Sequence, residues 1–201
     1  VITNSSSGKM GFAVARAARE AGARVTLVSG PVSLETPAGV ERVNVRSAGQ
    51  MFDAVKSVVK GSDIFISVAA VADWKARKIS DKKIKKVNGR MPTLEFEENP
   101  DILAWVAAQK NAPFCVGFAA ESENVEANAR QKRLKKGVPL IAANRAQDAL
   151  GADENAITLF DARGRHSLGR GPKLDQARKL VADLACMWNR RWLAQARAKN
   201  P

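Results

Sequence analysis

The chain has one histidine, His166, and no tyrosine. A single imidazole excludes a metal centre built from several histidines. Without a phenol, the acid–base chemistry of short-chain reductases has no donor. Its two cysteines, Cys115 and Cys186, stand far apart in apolar-rich segments. That placement fits structural thiols in a reducing cytoplasm better than a disulfide framework. No apolar run approaches the roughly 20 residues of a membrane span, and no secretory leader is recognisable. Internal repeats and low-complexity linkers are missing as well. One domain over residues 1–201 is the simplest partition, and that length can bury a real core.

Acidic residues are also in short supply. Lys and Arg number 33 against 20 Asp and Glu, a formal charge of +13. Such an excess points to an anionic partner: nucleic acid, an acidic membrane surface or a phosphorylated small molecule. With 45% apolar and 26% charged residues the composition is that of a folded globule. The first residue is not methionine, and Val1-Ile2-Thr3 reads as a strand already in progress. A chain trimmed at its start, or cut from something longer, is expected.

Periodicity alternates between strand and helix. After Val1–Thr3, the small-residue turn Asn4-Ser5-Ser6-Ser7-Gly8 leads into a helix with Met10, Val14, Ala17, Ala18 and Ala21 at helical spacing, stopped by Gly22. Strands are predicted at 25–28, 43–45, 64–68, 94–96, 114–118 and 140–143, with helices over 51–59 and 124–136. Asn99-Pro100-Asp101 reads as a helix start, Asn99 as cap and Pro100 in first position. Residues 157–160 and 166–168 form a hairpin around Arg163-Gly164, and a long basic helix runs from Lys173. Its Trp188 and Trp192, four apart, suit packing at a helical or subunit interface. The expected fold is α/β, a Rossmann-like three-layer sandwich with a mostly parallel sheet, a lysine-rich flap and a C-terminal hairpin. In such sheets ligands lie at the carboxyl ends of the strands, where Asn4–Gly11, Ala69–Asp73, Asn99 and Gly117–Glu121 should converge.

Several residues on that rim carry chemistry, each with a plainer alternative. The turn Ser6-Ser7-Gly8-Lys9-Met10-Gly11 occupies the place of a dinucleotide fingerprint, with serine for the first glycine and no acid closing the second strand. Its N–H groups suit an anion, or the turn is merely tight. Asn4 either hydrogen-bonds a reacting carbonyl or caps that turn. Asp73, delivered by a buried strand, either holds Mg²⁺ or caps a local turn. Lys82-Lys83-Ile84-Lys85-Lys86 places four lysines in five positions. It reads as a solvated loop or, following Asp73 on the rim, as a lid over phosphates. Lys132 and Lys136 share a helix face, where favourable interaction with the helix C-terminus suffices to explain them.

Taken in order, Asn4–Gly11, Val28-Ser29-Gly30-Pro31, Ala69–Trp74, Lys83-Ile84-Lys85-Lys86, Asn99–Ile102 and Gly117–Glu121 resemble one family, phosphopantothenoylcysteine synthetase. The resemblance runs to about Leu184, through Ala143-Asn144 and Asn155-Ala156-Ile157. It implies a ligase of coenzyme A biosynthesis that acts in the cytoplasm. CTP activates 4′-phosphopantothenate as an acyl-cytidylate with release of pyrophosphate, and the cysteine amine then displaces CMP. It further implies Mg²⁺, a homodimer, and a flavin-dependent decarboxylase domain fused upstream in bacterial forms. By this resemblance Asn4 handles the acyl-cytidylate and Lys83 stabilises charge in the activation step. Ser6, Ser7, Gly8 and Gly11 would cradle the nucleotide phosphates. Ala69, Ala70 and Asp73 would line the same nucleotide site, with Asp73 acting directly or through the metal. Asn99, Pro100, Asp101 and Ile102, with Phe118, would hold the cytidine, and Lys132 and Lys136 would join them. Two departures stand out: the arginine that precedes the first strand in the family lies before this chain begins, and Trp74 replaces the commoner Tyr or Phe.

The chemistry agrees with that list. A carboxylate attacking phosphorus must overcome anion repulsion, which a lysine and Mg²⁺ screen, while an Asn amide can donate to the oxyanion of the second step. No protein nucleophile is required. Two rival readings are a nicotinamide-dependent (NADP) reductase, from the fingerprint-like turn, and a basic nucleic-acid-binding protein, from the charge. The absent glycine and acid weigh against the first. Basic residues dispersed over many elements, instead of a single stripe, weigh against the second, so no nucleic-acid or membrane partner is expected.

Overall fold

The computed structural model of the chain describes Asn4 and residues 6–78, 93–149 and 152–199; the side chains of 148, 149, 192 and 194–199 are also left aside. The strand expected at 1–3 and the lysine run 82–86, with Lys83, lie outside the described residues. Element order is α1 (Lys9–Glu20), β1 (Thr26–Ser29), β2 (Glu41–Asn44), α2 (Ala48–Val58), β3 (Ile64–Ser67), β4 (Trp74–Ala76) and β5 (Phe96–Glu98). It continues with α3 (Ile102–Ala107), β6 (Phe114–Glu121), α4 (Val125–Lys136), β7 (Leu140–Arg145), α5 (Ala146–Ala149), β8 (Glu154–Phe160), β9 (Arg165–Pro172) and α6 (Lys173–Lys199).

Five strands form the central sheet in the order β3-β6-β7-β8-β9. β3–β6 and β6–β7 are parallel, whereas β7–β8 and β8–β9 are antiparallel, so the expected C-terminal hairpin closes one side of a parallel unit. β1 and β2 pair in parallel as well. β6 reads Phe-Cys-Val-Gly-Phe-Ala-Ala-Glu, the near-continuous apolar run of a strand covered on both faces. Alternation then sorts its residues. Phe114 and Val116, with Leu140, Ala142, Ile157 and Leu159, pack beneath Val14 and Ala17 of α1 and Ala177, Leu180 and Leu184 of α6. Cys115 and Ala119, with Ile141 and Ala143, pack on the other face against α2 (Val55), α3 (Ile102, Leu103, Val106) and α4 (Ala129). The result is three layers, as the hydrophobic pattern implies. Gly117 marks the tightest point: a Cβ there would lie 2.7 Å from both Ile141 Cδ1 and Leu103 Cδ2.

Three expectations are corrected. The strand at 94–96 is shifted to 96–98, because its partner is Trp74–Ala76, a segment read as loop. Register pairs Lys75 with Glu97, whose side chains meet at 3.1 Å. The cap of α3 is Asp101, which accepts from Ala104 N–H at 3.0 Å, and not Asn99. Asn99 is drawn away by a neighbouring carbonyl, and Pro100 therefore stays outside the helix. Of the two thiols only Cys115 is structural; burial pushes it up to about 11, and Cys186 is exposed. Trp188 packs against the α1/α6 cluster, as its spacing suggested.

α6 is fastened to α1 by Arg178, whose Nε and Nη2 donate to the two carboxylate oxygens of Glu20 at 2.8 and 3.2 Å. Those bonds, with Arg16, bring Glu20 from an ordinary 4.5 down to about 2. A depressed carboxyl stabilises the fold above its unfolded pKa and loses that contribution as pH falls through the folded one. Acid melts between pH 4.5 and about 2 should therefore lower Tm more steeply in the unaltered chain than in Glu20→Gln. Parallel curves would remove this pair from the acid response.

Candidate functional site

The C-terminal ends of β3, β6 and β7 open onto one rim, and the turns that follow them meet there. Asn4 donates from Nδ2 to the Val71 carbonyl at 3.2 Å, which joins the N-terminal turn to the segment after β3. Ser6 and Ser7 hydroxyls accept from Gly8 N–H and Lys9 N–H, each at 3.4 Å. Gly8 then starts α1 in a left-handed conformation, φ 73°, with no side-chain cap and no acid in the first turn. The next N–H groups of the first turn, on Met10 and Gly11, are thus left for another acceptor. A Cβ on Gly8 would stand 3.0 Å from Val32 Cγ1, and Gly11 backs onto Val68. Arg42 holds the loop carrying Val32, donating to the carbonyls of Leu34 at 2.8 Å and Val32 at 3.4 Å.

Across the rim, Asn99 stitches the segment after β3 to the start of α3. Its N–H donates to the Asp73 carbonyl at 2.7 Å and its Nδ2 to the Ala72 carbonyl at 2.8 Å. The Oδ1 of Asn99 is buried without a partner, an unsatisfied acceptor at the rim. Asp101 caps α3 with one oxygen and receives Lys136 Nζ on the other. Burial alone would raise Asp101, but Lys136, the Ala104 N–H and Lys135 together bring it below the usual carboxylate range. Lys132 donates to the Phe118 carbonyl at 2.9 Å. Burial pushes Lys132 down, Glu121 opposes this, Lys136 adds repulsion, and Asp73 and Asp101 oppose it more weakly. Five charges from β6, α4, the α3 cap and the turn after β3 therefore share one local field.

The uncapped N–H groups of the α1 turn and the ammonium groups of α4 are both chemistry suited to anions. The DNA/pantothenate metabolism flavoprotein C-terminal domain model matches residues 1–187. The chain belongs to that family. The resemblance read from the motifs, to the synthetase half of bifunctional CoaBC proteins, is thereby borne out. One similar relative in Vibrio cholerae, "Coenzyme A biosynthesis bifunctional protein CoaBC", is 49% identical over 172 residues, covering 83% of this chain and 43% of that protein. The chain thus spans about two fifths of the length of the curated relatives it matches. Among solved structures, the C-terminal domain of a CoaBC protein superposes with TM-score 0.79 at 34% identity, over 94% of this chain and 86% of that one. A Cab2 mutant in complex with phosphopantothenate-cysteine shares the fold at TM-score 0.77 and 13% identity, over 98% of this chain and 82% of that chain.

On this family frame the residues singled out from the sequence separate by where the fold puts them. Asp73, Asn99, Asp101, Lys132 and Lys136 converge, and Asn4, Ser6, Ser7, Gly8 and Gly11 form the neighbouring turn. Ala69 and Ala70 lie exposed in the segment between them, and Pro100 adjoins Asn99 at the surface. Ile102 and Phe118 differ. Ile102 is a core residue of the α2/α3/α4 face, and the Phe118 ring packs towards α1 and α6, so its carbonyl and not its ring meets Lys132. Lys83 lies outside the described residues. Glu121 was missed as a site residue: its carboxylate accepts from Asn128 at 3.1 Å beside Lys132, and its place at a strand tip was the available signal. Val32 and Arg42 carried no signal, since only the fold brings them behind Gly8.

Asp73 has an exposed carboxylate with no hydrogen bond or ion pair to another described residue, and no cluster of three metal-ligating side chains occurs among the described residues. An exposed carboxylate free of other described partners suits Mg²⁺, which is commonly held by one or two carboxylates together with substrate phosphates.

The turn supplies a stability test. Gly8→Ala should cost about 1–3 kcal/mol for a non-glycine residue in a left-handed conformation pressed against Val32. Gly22→Ala, at φ 88° with open space around it, should cost only about 1 kcal/mol, the low end of the left-handed penalty. Urea denaturation compares the two; equal losses would show that Val32 does not constrain the turn.

Proposed function

We propose that the chain is a CTP-dependent phosphopantothenate–cysteine ligase acting in the cytoplasm as part of coenzyme A biosynthesis. The observation that carries this reading is the meeting of Asn4 and the α1 turn with Asp73, Asn99, Asp101, Lys132 and Lys136 on one rim. The names of its relatives, and the phosphopantothenate-cysteine in the Cab2 complex of the same fold, support the substrate class.

In the first step the carboxylate of 4′-phosphopantothenate attacks the α-phosphorus of CTP, and pyrophosphate leaves as the acyl-cytidylate forms. The α1 turn receives phosphate oxygens on its N–H groups, while Lys132, Lys136 and Lys83 offset the negative charge. The unsatisfied Oδ1 of Asn99 suits the exocyclic amino group of cytosine, an acceptor for a donor that uracil lacks. Asp73 would hold Mg²⁺, which supplies charge neutralisation at the phosphates when bound. In the second step the cysteine amine attacks the acyl carbon, its proton passes to solvent, and CMP leaves. The Asn4 amide, whose Nδ2 donates to the Val71 carbonyl, would supply a neutral donor to the tetrahedral oxyanion.

The described ribbon supports the homodimer. Trp74, Leu94 and Phe96 are exposed at 51, 57 and 42% on β4, β5 and the residues leading into β5. An apolar patch on a two-stranded ribbon suits a second copy of the same ribbon. In sedimentation velocity the unaltered chain should run as a dimer and the double change Trp74→Ser, Phe96→Ser as a monomer; a dimer unaffected by both places the interface elsewhere.

Activity is tested in two stages. CTP with 4′-phosphopantothenate and Mg²⁺ should release pyrophosphate, and adding cysteine should release CMP with the coupled product. Lys83→Gln should slow the first release by about 10²-fold or more, as for loss of a transition-state charge partner. Absence of both releases in the unaltered chain would refute the ligase reading.

A further inference from the structure

Lys9 leaves the first turn of α1 and reaches Asp153, with Nζ 2.6 Å from Oδ1. Asp153 immediately precedes β8, and the antiparallel register of β7 and β8 sets the start of β8 beside the C-terminal end of β7. The pair therefore stands on the same rim as the candidate site, on the α1 side. Behind it, Lys173 is buried at 7% exposure; its Nζ donates to the Ala152 carbonyl and its N–H to the Asp153 carbonyl at 2.9 Å. Lys9 holds Asp153 below the usual carboxylate range, and Lys173 adds to this. Burial and the charge of Lys9 push Lys173 down.

The Asp153 carboxylate that holds Lys9 lies by the positive end of α1 and is 88% exposed. An ion pair so exposed is a weak tie. A polyphosphate seated on the α1 turn offers several anionic oxygens where Asp153 offers two, and the lysine stem is flexible enough to turn towards them.

We propose that Lys9 is a phosphate-binding residue of the nucleotide site, which Asp153 holds while the site is empty and which transfers to the polyphosphate on binding. The proposal rests on the α1 turn being the nucleotide-phosphate cradle of the preceding section. It adds a side-chain cation to backbone N–H groups and makes Asp153 a competitor of the ligand.

Inorganic tripolyphosphate, which carries no base and no acyl acceptor, is the probe. Calorimetric titration at low salt compares the unaltered chain with Lys9→Gln, Asp153→Asn and the double variant, each checked for folding by its melting curve. Lys9→Gln should weaken binding about tenfold, the loss of a charge-assisted contact. Asp153→Asn should strengthen it by about two- to fivefold, as a weak competing pair is released. The double variant should match Lys9→Gln. Both single changes break the same ion pair, so a purely structural tie would move both in the same direction. That result overturns the proposal, as does a gain from Asp153→Asn that survives without Lys9, or failure of the unaltered chain to bind tripolyphosphate. The outcome stands whichever nucleoside or acid the enzyme takes, so it separates cleanly from the test of the ligase reaction.

Discussion

Parallel pairing of β3, β6 and β7 is the constraint on which everything else hangs. A parallel sheet must be covered on both faces, and the strands answer with side chains that alternate between the α1/α6 layer and the α2/α3/α4 layer. Because the strands run the same way, the segments that leave them are delivered to a single edge. The tight passage of Gly117 between Ile141 and Leu103 shows how little slack the arrangement has. Any displacement of β6 would carry the Phe118 carbonyl, and with it Lys132, out of register with Asp73.

The excess of basic residues acquires a local meaning on that edge. Lys136 lies against Asp101 and Lys9 against Asp153, so these cations are already partnered by acids. Lys132 is anchored on a backbone carbonyl, an acceptor without full charge, which leaves more of its field for an incoming anion. A set of ammonium groups left unpartnered would repel one another and scatter into solvent; carboxylates and carbonyls hold them close together instead. Most other ion pairs, such as Arg165–Glu126 and Arg170–Glu154, are exposed and contribute little to stability.

Much of this was legible in the sequence, for reasons that differ from residue to residue. The β6 run and the spacing of Val14 and Ala17 announce layers because burial imposes its own period on each element. The small-residue turn before α1 reads equally as an anion cradle or a tight turn, because short side chains serve both. Asn99 was placed correctly on the rim but with the wrong job. Local rules favour Asn as a cap, and only the fold brings the Ala72 carbonyl near enough to claim its amide. β4 was read as loop and β5 was placed two residues early for a similar reason: three-residue strands lack a readable period, and pairing alone defines them. Phe118 seemed to belong beside Lys132, yet strand alternation sends its ring to the opposite face.

The long terminal helix has one further consequence. α6 begins next to the rim, where Lys173 meets the Ala152 carbonyl, and passes across the sheet until Arg191 sits 6.0 Å from the ring of Phe114, at the opposite ends of the strands. Twenty-seven residues at about 1.5 Å each make a rod roughly 40 Å long. A dye or tether attached near its far end would report on the molecule from a site remote from the chemistry.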